Sequence, residues 1–441
     1  MTTTRNRSLT IILVAMLAVA VPVALAHDQI PGKPQDAPIL LKGGDLYTVS
    51  DGVMEGTDLL FDGGEITRIG KNLTPPPGAK VVDVSGKRVY PGLIAAATTI
   101  GLTEIGAVRA TNDLDEVGGV TPEVLAHVAY NPDSEVIPTV RSNGITTAQV
   151  KPAGSSFSNP SVIVGRSFIT YLDGWTKEDS GIKLIDALHV TWPSARVSTS
   201  FFAPPIEKQK ERMKEQRDQL RKAFDGAKAY ASAKKAGVEV ETNLAHEAMM
   251  AALDGEIPVI VDADDYRQIV EAISFAKERG LRLIILGGLD AWMATDLLKA
   301  NDVPVIIKTV QQLPQRADDD YDAVYRLPKM LHDAGVTFCM TRADSWDSRN
   351  LPLEGGQAVA YGLPKEVALR SITLSAAEVL GIADREGSLE VGKKATLFVS
   401  EGDVMDTLGH RVTHMWIEGR WVDLDNRHKA LFRKYSEKPG N

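Results

Sequence analysis

The run Asp262-Ala263-Asp264-Asp265, placed directly after the apolar Val259-Ile260-Val261, concentrates three carboxylates at the end of a candidate strand. Grouped carboxylates can act as general bases or hold a hard cation, suiting magnesium, manganese or calcium better than zinc. A second use competes: Asp264 and Asp265 also stand where they would cap the helix that follows. Cys339 is the only cysteine, so no intramolecular disulfide forms. Its setting, Val336-Thr337-Phe338-Cys339-Met340, reads as a buried strand in which the thiol is a small core group rather than a nucleophile. His410 and His414 are four apart, a metal-pair spacing on a helix, but they fall in a strand and turn, which favours an ordinary surface role.

The elements that must position these residues change character along the chain. From Ala37 to Val89, short alternating segments are separated by turns, with Asp62-Gly63-Gly64 as a hairpin signal. Similar texture returns in Ala395 to Val399 and Val412 to Val422, so the two ends are expected to pair into one β domain. Between them, four strand-then-helix units are legible: Pro258 to Ala263 with Asp265 to Arg279, Leu281 to Leu286 with Ala291 to Ala300, Val303 to Lys308 with Tyr321 to Ala334, and Val336 to Met340 with a segment through Val359. Gly280 and Gly335 sit where helix ends favour left-handed backbone. Repeated units of this kind imply a parallel sheet, and this many fit a closed barrel. The first half is less legible, with candidate strands at Val89 to Ala96, Thr146 to Val150 and Ser161 to Val164. Glu207 to Ala236 reads as one long helix whose apolar stripe lies on its own barrel.

Val82-Asp83-Val84-Ser85-Gly86-Lys87, followed by Tyr90-Pro91-Gly92-Leu93-Ile94, resembles the passage from β domain to first barrel strand in the amidohydrolase superfamily. Ile372 to Ile382 resembles that family's late helix, and Gly387 to Leu397 its return to the β domain. The resemblance, to composite-domain, imidazolonepropionase-like members, covers nearly all of the chain after its first segment. It implies an α/β fold: a TIM-like (β/α)8 barrel over residues 90–387, a β-sandwich domain from 37–89 plus 388–425, and a tail over 426–441.

The resemblance further implies metal-assisted hydrolysis of carbon–nitrogen bonds. Family members carry a His-x-His pair on the first strand, a carboxylated lysine or acid on the fourth, single histidines on the fifth and sixth, and an aspartate on the eighth. Here the first-strand positions hold Ala97 and Thr99, the fifth Asp262 and the sixth Gly287, while Asp344 matches the eighth within one residue. The fourth-strand position is unplaced. No metal ligand is therefore assigned, and the cofactor stays unknown, with the family's zinc doubtful. A metal lowers its water's pKa from about 16 to about 7, worth up to about 12 kcal/mol. A lone general base supplies roughly 3 to 5 kcal/mol.

Two functions stay open. One is a hydrolase with a rebuilt site, using Asp344 as catalytic base and Asp262, Arg141, Lys151 and Arg342 around a small-molecule substrate. The other is a non-catalytic binding or regulatory subunit, pairing as a homo-oligomer or with a metal-bearing relative. Asp173-Gly174-Trp175-Thr176 and Leu188 to Pro193 are read either as pocket lining or as ordinary packing. The net charge of −9 argues against nucleic acid. Nucleotide-binding and serine-hydrolase motifs are missing. Arg5 and Arg7, the apolar Leu9 to Leu25 and the closing Ala24-Leu25-Ala26 read as a cleaved signal peptide over 1–26, which implies export to the periplasm or beyond.

Overall fold

The computed structural model describes residues 30–154 and 161–438; the expected leader lies outside the described residues. From Pro31 onward the chain is one compact unit. It begins with β1 (Ile39–Tyr47), β2 (Val53–Asp62), β3 (Glu65–Gly70), β4 (Lys80–Asp83) and β5 (Arg88–Pro91). β1 does double duty: Ile39 to Lys42 pair with β4, and Asp45 and Leu46 with β5. That split bends the sheet over its own core, which includes Leu41, Leu59, Phe61, Val89 and Trp416.

Gly92 then switches the chain into the barrel. A side chain there would meet the Thr146 hydroxyl at 2.0 Å, so only glycine lets the two domains approach at this seam. The barrel strands are β6 (Leu93–Thr98), β7 (Ile145–Val150), β8 (Ile163–Arg166), β9 (Phe168–Tyr171), β11 (Leu188–Thr191), β12 (Val259–Ala263), β13 (Leu283–Gly287), β14 (Val305–Ile307) and β15 (Phe338–Met340), with the short β10 (Gly181–Lys183) outside on β9. The connecting helices include α1 (Val136–Arg141), α2 (Ile206–Lys235), α3 (Leu244–Leu253), α4 (Tyr266–Arg279), α5 (Thr295–Ala300), α6 (Ala323–Asp333) and α7 (Leu351–Ala360), followed by α8 (Lys365–Ser371) and α9 (Leu374–Val379).

This is the TIM-like barrel expected, with one departure. β6 and β7 are parallel, as are β11 through β15, but β9 runs antiparallel to β7 and β8 antiparallel to β11. The stretch from Ile163 to Tyr171, broken only at Ser167, therefore fills the third barrel position against the direction of its neighbours. Among the described residues no ladder joins β15 to β6. The Thr341 hydroxyl donates instead to the Ala96 carbonyl, and the Ile94 N–H to the Ile372 carbonyl just before α9.

Strand alternation sorts the side chains into two shells. Ile94, Ala96, Ile169, Ile260, Ile284, Leu286, Ile306 and Cys339 fill the barrel interior, while Leu93, Ala95, Val150, Val261, Ile285, Phe338 and Met340 face the helices. Cys339 is fully buried, and burial pushes its thiol up to about 12, as befits a core group. On α2, Leu220, Phe224, Ala227 and Ala231 are buried on the barrel side, with Phe224 edge-on to Phe275 of α4, but Ile206 at its start is exposed. The far strands β16 (Leu397–Ser400), β17 (Val412–Ile417) and β18 (Arg420–Trp421) return to the first sheet through β5. No described helix is long and apolar enough to cross a membrane.

The seam between barrel and β domain carries a buried acid. Glu386 accepts from the Tyr171 hydroxyl at 2.5 Å and from Thr396 at 3.3 Å, and burial raises its pKa to about 8. Asp186 at the foot of β11 moves the same way, to about 6, again through burial. Both groups keep their protons in the native state after the unfolded chain has lost them, so the native state binds more protons from about pH 4.5 to 8 and stability falls as pH rises through that window. Urea unfolding across pH 5–8 should show this decline, with a shallower slope in Glu386→Gln; an identical slope would remove the seam as its source.

Candidate functional site

The C-terminal ends of the barrel strands open on one mouth, and pairing register fixes what faces it. Thr191 of β11 lies beside Asp262 of β12, which lies beside Leu286 of β13; one row deeper, His189 lies beside Ile260 and Ile260 beside Ile284. At the mouth end of this fourth strand stands Thr191, with His189 beneath it. Leu188 to Pro193, ambiguous in sequence, contributes a parallel barrel strand rather than a loop.

Above this row sits the charged centre. Lys308, immediately after β14, places its Nζ 2.7 Å from Asp262 Oδ1 and 3.1 Å from Asp264 Oδ2. The three side chains are 28, 35 and 38% exposed, so the cluster is open to the mouth. Burial works against the Lys308 charge, but the two carboxylates outweigh it and hold its pKa above the ordinary lysine value. Burial raises Asp264, with Lys308 opposing, and its Oδ1 has no hydrogen-bond partner. Asp265 has the other use anticipated: it caps α4 in a reciprocal pair with Gln268. Asp264 and Asp265, adjacent in sequence, thus divide between site and scaffold.

Gly287 explains how the centre fits. Its φ is +100°, and a Cβ there would stand 2.2 Å from Asp264 Oδ1 and 2.7 Å from Lys308 Cε. The space in front of Gly287 is occupied by the lysine stem and a carboxylate. On the first strand, Ala97 adopts φ +53°, a left-handed geometry that costs a non-glycine residue about 1 to 2 kcal/mol. It is held there by its N–H, which donates to Gln149 Oε1 at 3.1 Å, while the Gln149 amide donates to Asp186.

The remaining sequence candidates are distributed unevenly. Lys151, just past β7, shares the mouth: burial lowers its pKa, Asp262 opposes, and Lys308 adds to the lowering. Arg342 is on the rim, bonded to Thr309 and to the buried Glu354 at 3.2 Å. Asp344 is exposed on that rim, where its carboxylate accepts from the Asp347 N–H at 3.5 Å. Arg141 is at the opposite end, buried at the close of α1 and paired with Asp173 at 3.0 Å; Arg420 of β18 reaches the same carboxylate at 3.7 Å. It joins barrel to β domain, and Asp173-Gly174-Trp175-Thr176 belongs to that joint. His410 bonds the Val404 carbonyl and His414 stacks on Trp416, both partly buried.

Lys308 was not singled out in the sequence, whereas Asp264 was weighed there as site group or helix cap and His189 was named only within the segment Leu188 to Pro193. Lys308 had one signal: a charge closing an apolar strand at the end where barrel sites are built. For His189 the segment's polar and aromatic residues left lining and packing equally open, because β11 is followed by a long insertion containing α2 and α3 instead of a prompt helix.

A divalent metal does not suit this centre. A ligand set needs lone pairs converging on one point, and here an ammonium occupies that point, with a second amine nearby. Among the described residues no group of three or more histidine, cysteine, aspartate or glutamate side chains converges.

Residues 174–422 match the model of the amidohydrolase family. An amidohydrolase from Thermotoga maritima superposes with a TM-score of 0.77 at 25% identity, covering 87% of this chain and 99% of that one. Amidohydrolase tasK of Hapsidospora irregularis is 22% identical over 393 residues, 82% of this chain but 39% of its own length. A dihydroorotase of Geobacter sulfurreducens is 46% identical over 56 residues, 13% of each chain. The chain thus spans about two-fifths or less of these two curated relatives.

If the Lys308 stem fills the space before Gly287, then Gly287→Ala should destabilise the protein by about 1 to 3 kcal/mol through overpacking and backbone strain. In a Lys308→Ala background part of that penalty should vanish. A double-mutant cycle by thermal or urea unfolding measures the coupling, and strict additivity would show that the two residues do not compete for space.

Proposed function

The chain belongs to the amidohydrolase family, and we propose that it is a hydrolase that cleaves a carbon–nitrogen bond at the barrel mouth with carboxylates and a fixed ammonium in place of a histidine-held metal. The supporting observation is the Lys308 ammonium seated between Asp262 and Asp264, in space that Gly287 leaves open.

In this reading Asp262 takes the proton of the attacking water. Lys308, its charge secured by two carboxylates, supplies the positive field toward which the carbonyl oxygen's developing charge is drawn. Asp262 then returns that proton to the leaving nitrogen, while Asp264 stays paired with Lys308 and holds its charge. Acid–base help of this kind is worth roughly 3 to 5 kcal/mol, well short of a metal's activation, so the substrate is one whose carbonyl is already activated, such as a cyclic imide or ureide. Arg342 and Asp344 on the rim are the groups such a substrate meets on entry. Arg5, Arg7 and the apolar segment ending in Ala24-Leu25-Ala26 support placing the mature protein outside the cytoplasm.

The absence of histidine from Ala97, Thr99 and Gly287 also favours a second reading, a non-catalytic subunit that keeps the mouth as a binding pocket. A panel of amides and cyclic ureides, assayed with and without chelator alongside elemental analysis, separates the two. Chelator-resistant turnover that falls about 10²- to 10⁴-fold in Asp262→Asn, with unfolding midpoint retained, is the expected result. Turnover that needs added divalent metal, or is undiminished in Asp262→Asn, overturns the proposal; saturable ligand binding without turnover establishes the second reading.

A further inference from the structure

The mouth contains a second amine whose situation differs from that of Lys308. Lys151 directly follows β7, and its backbone N–H donates to the Thr98 carbonyl at 2.9 Å, fixing the end of β7 against that of β6. Its Nζ donates to the Pro152 carbonyl at 3.2 Å, and among the described residues no carboxylate stands within ion-pair distance. Lys308 is clamped by two acids; Lys151 is not. Burial is the main influence that lowers its pKa, with Asp262 opposing and Lys308 adding to the lowering through space. Deeper in the barrel is His189, 2% exposed, inward-facing on β11, with Nε2 lacking a partner among the described residues. Burial keeps its imidazole neutral, and it is close enough to Lys151 for the ammonium to reinforce that.

An amine held beside another cation and partly withdrawn from water surrenders its proton more readily, and in the neutral form it is a nucleophile toward carbonyl carbon. A buried imidazole nitrogen without a partner leaves a hydrogen-bonding position unfilled deeper in the barrel. We infer that Lys151 is a covalent capture group: small aldehydes and ketones entering the mouth are bound as imines on its Nζ, with His189 relaying the proton.

The step balances without oxidant or reductant. The Nζ lone pair attacks the carbonyl carbon, a C–N bond forms, and the C=O π pair moves to oxygen. His189 Nε2 takes a proton from the nitrogen and returns it to that oxygen, giving a carbinolamine. Loss of the second N–H proton and of hydroxide, together one water, leaves the C=N bond. The inference concerns a chemistry separate from hydrolysis and does not need the carbon–nitrogen reading to hold.

The test is reductive trapping on the full protein near neutral pH, with acetone or glycolaldehyde as probe and cyanoborohydride as reductant, followed by peptide mapping. Lys151 should be labelled first, at least about tenfold faster than exposed lysines, because each unit by which an amine's pKa falls raises its neutral fraction about tenfold. Lys151→Arg should abolish that first adduct, and His189→Gln should slow it. In the unsubstituted protein, Lys151 labelling should level off at lower pH than labelling of the surface lysines, a readout that serves even if a variant fails to fold. Label spread evenly over surface lysines, or a first adduct that persists in Lys151→Arg, overturns the inference. Wild-type labelling of His189→Gln overturns the relay.

Discussion

One ammonium between two carboxylates organises the mouth of this barrel. Lys308 reaches from the end of β14 across β13 to the end of β12, and it can do so only because β13 carries no side chain at Gly287. The three positions are one arrangement: the glycine makes the room, the lysine stem fills it, and the carboxylates hold the charge that would otherwise be unfavourable in a partly buried site. Any side chain at 287 competes with the lysine for the same volume, and any cation at the carboxylates competes for the same charge.

Much of the remaining interior serves to present this centre on a rigid frame. Apolar residues fill the barrel below, from Ile94 round to Cys339, while a buried polar link runs from the strained Ala97 through Gln149 to Asp186. That link satisfies the backbone where β6 leaves regular geometry. The stretch Ile163–Tyr171, running against its neighbours, completes the wall between β7 and β11, and its last residue, Tyr171, bonds Glu386 across the seam to the β domain. The mouth and the seam are opposite ends of the same strands. A charged residue at a strand's C-terminal end therefore reads as part of the site, and one before its N-terminal end, such as Arg141, as part of the joint.

The readable parts of the sequence were those whose signal is local. Apolar runs followed promptly by amphipathic helices gave β12 through β15 to within two residues or so, and the two stretches of alternating segments foretold a shared sheet. The order of motifs around Tyr90-Pro91-Gly92 and Gly387 to Leu397 pointed to the family. Strands without a prompt helix were harder: β11 carries four residues before a long insertion, and β8 and β9 pair antiparallel in a place where the repeat leads one to expect a parallel strand.

By itself the sequence determined the composite architecture and the family, because these depend on periodicity and motif order. Only the tertiary structure decided which charges meet. Lys308 is separated from Asp262 and Asp264 by more than forty residues of chain, and pairing register brings them together; the same register turns His189 inward, while Asp344 is exposed on the rim. Strand identity is written in neighbouring residues. The contacts of a barrel mouth are written in the alignment of strands that are not neighbours in sequence, and no local pattern encodes that.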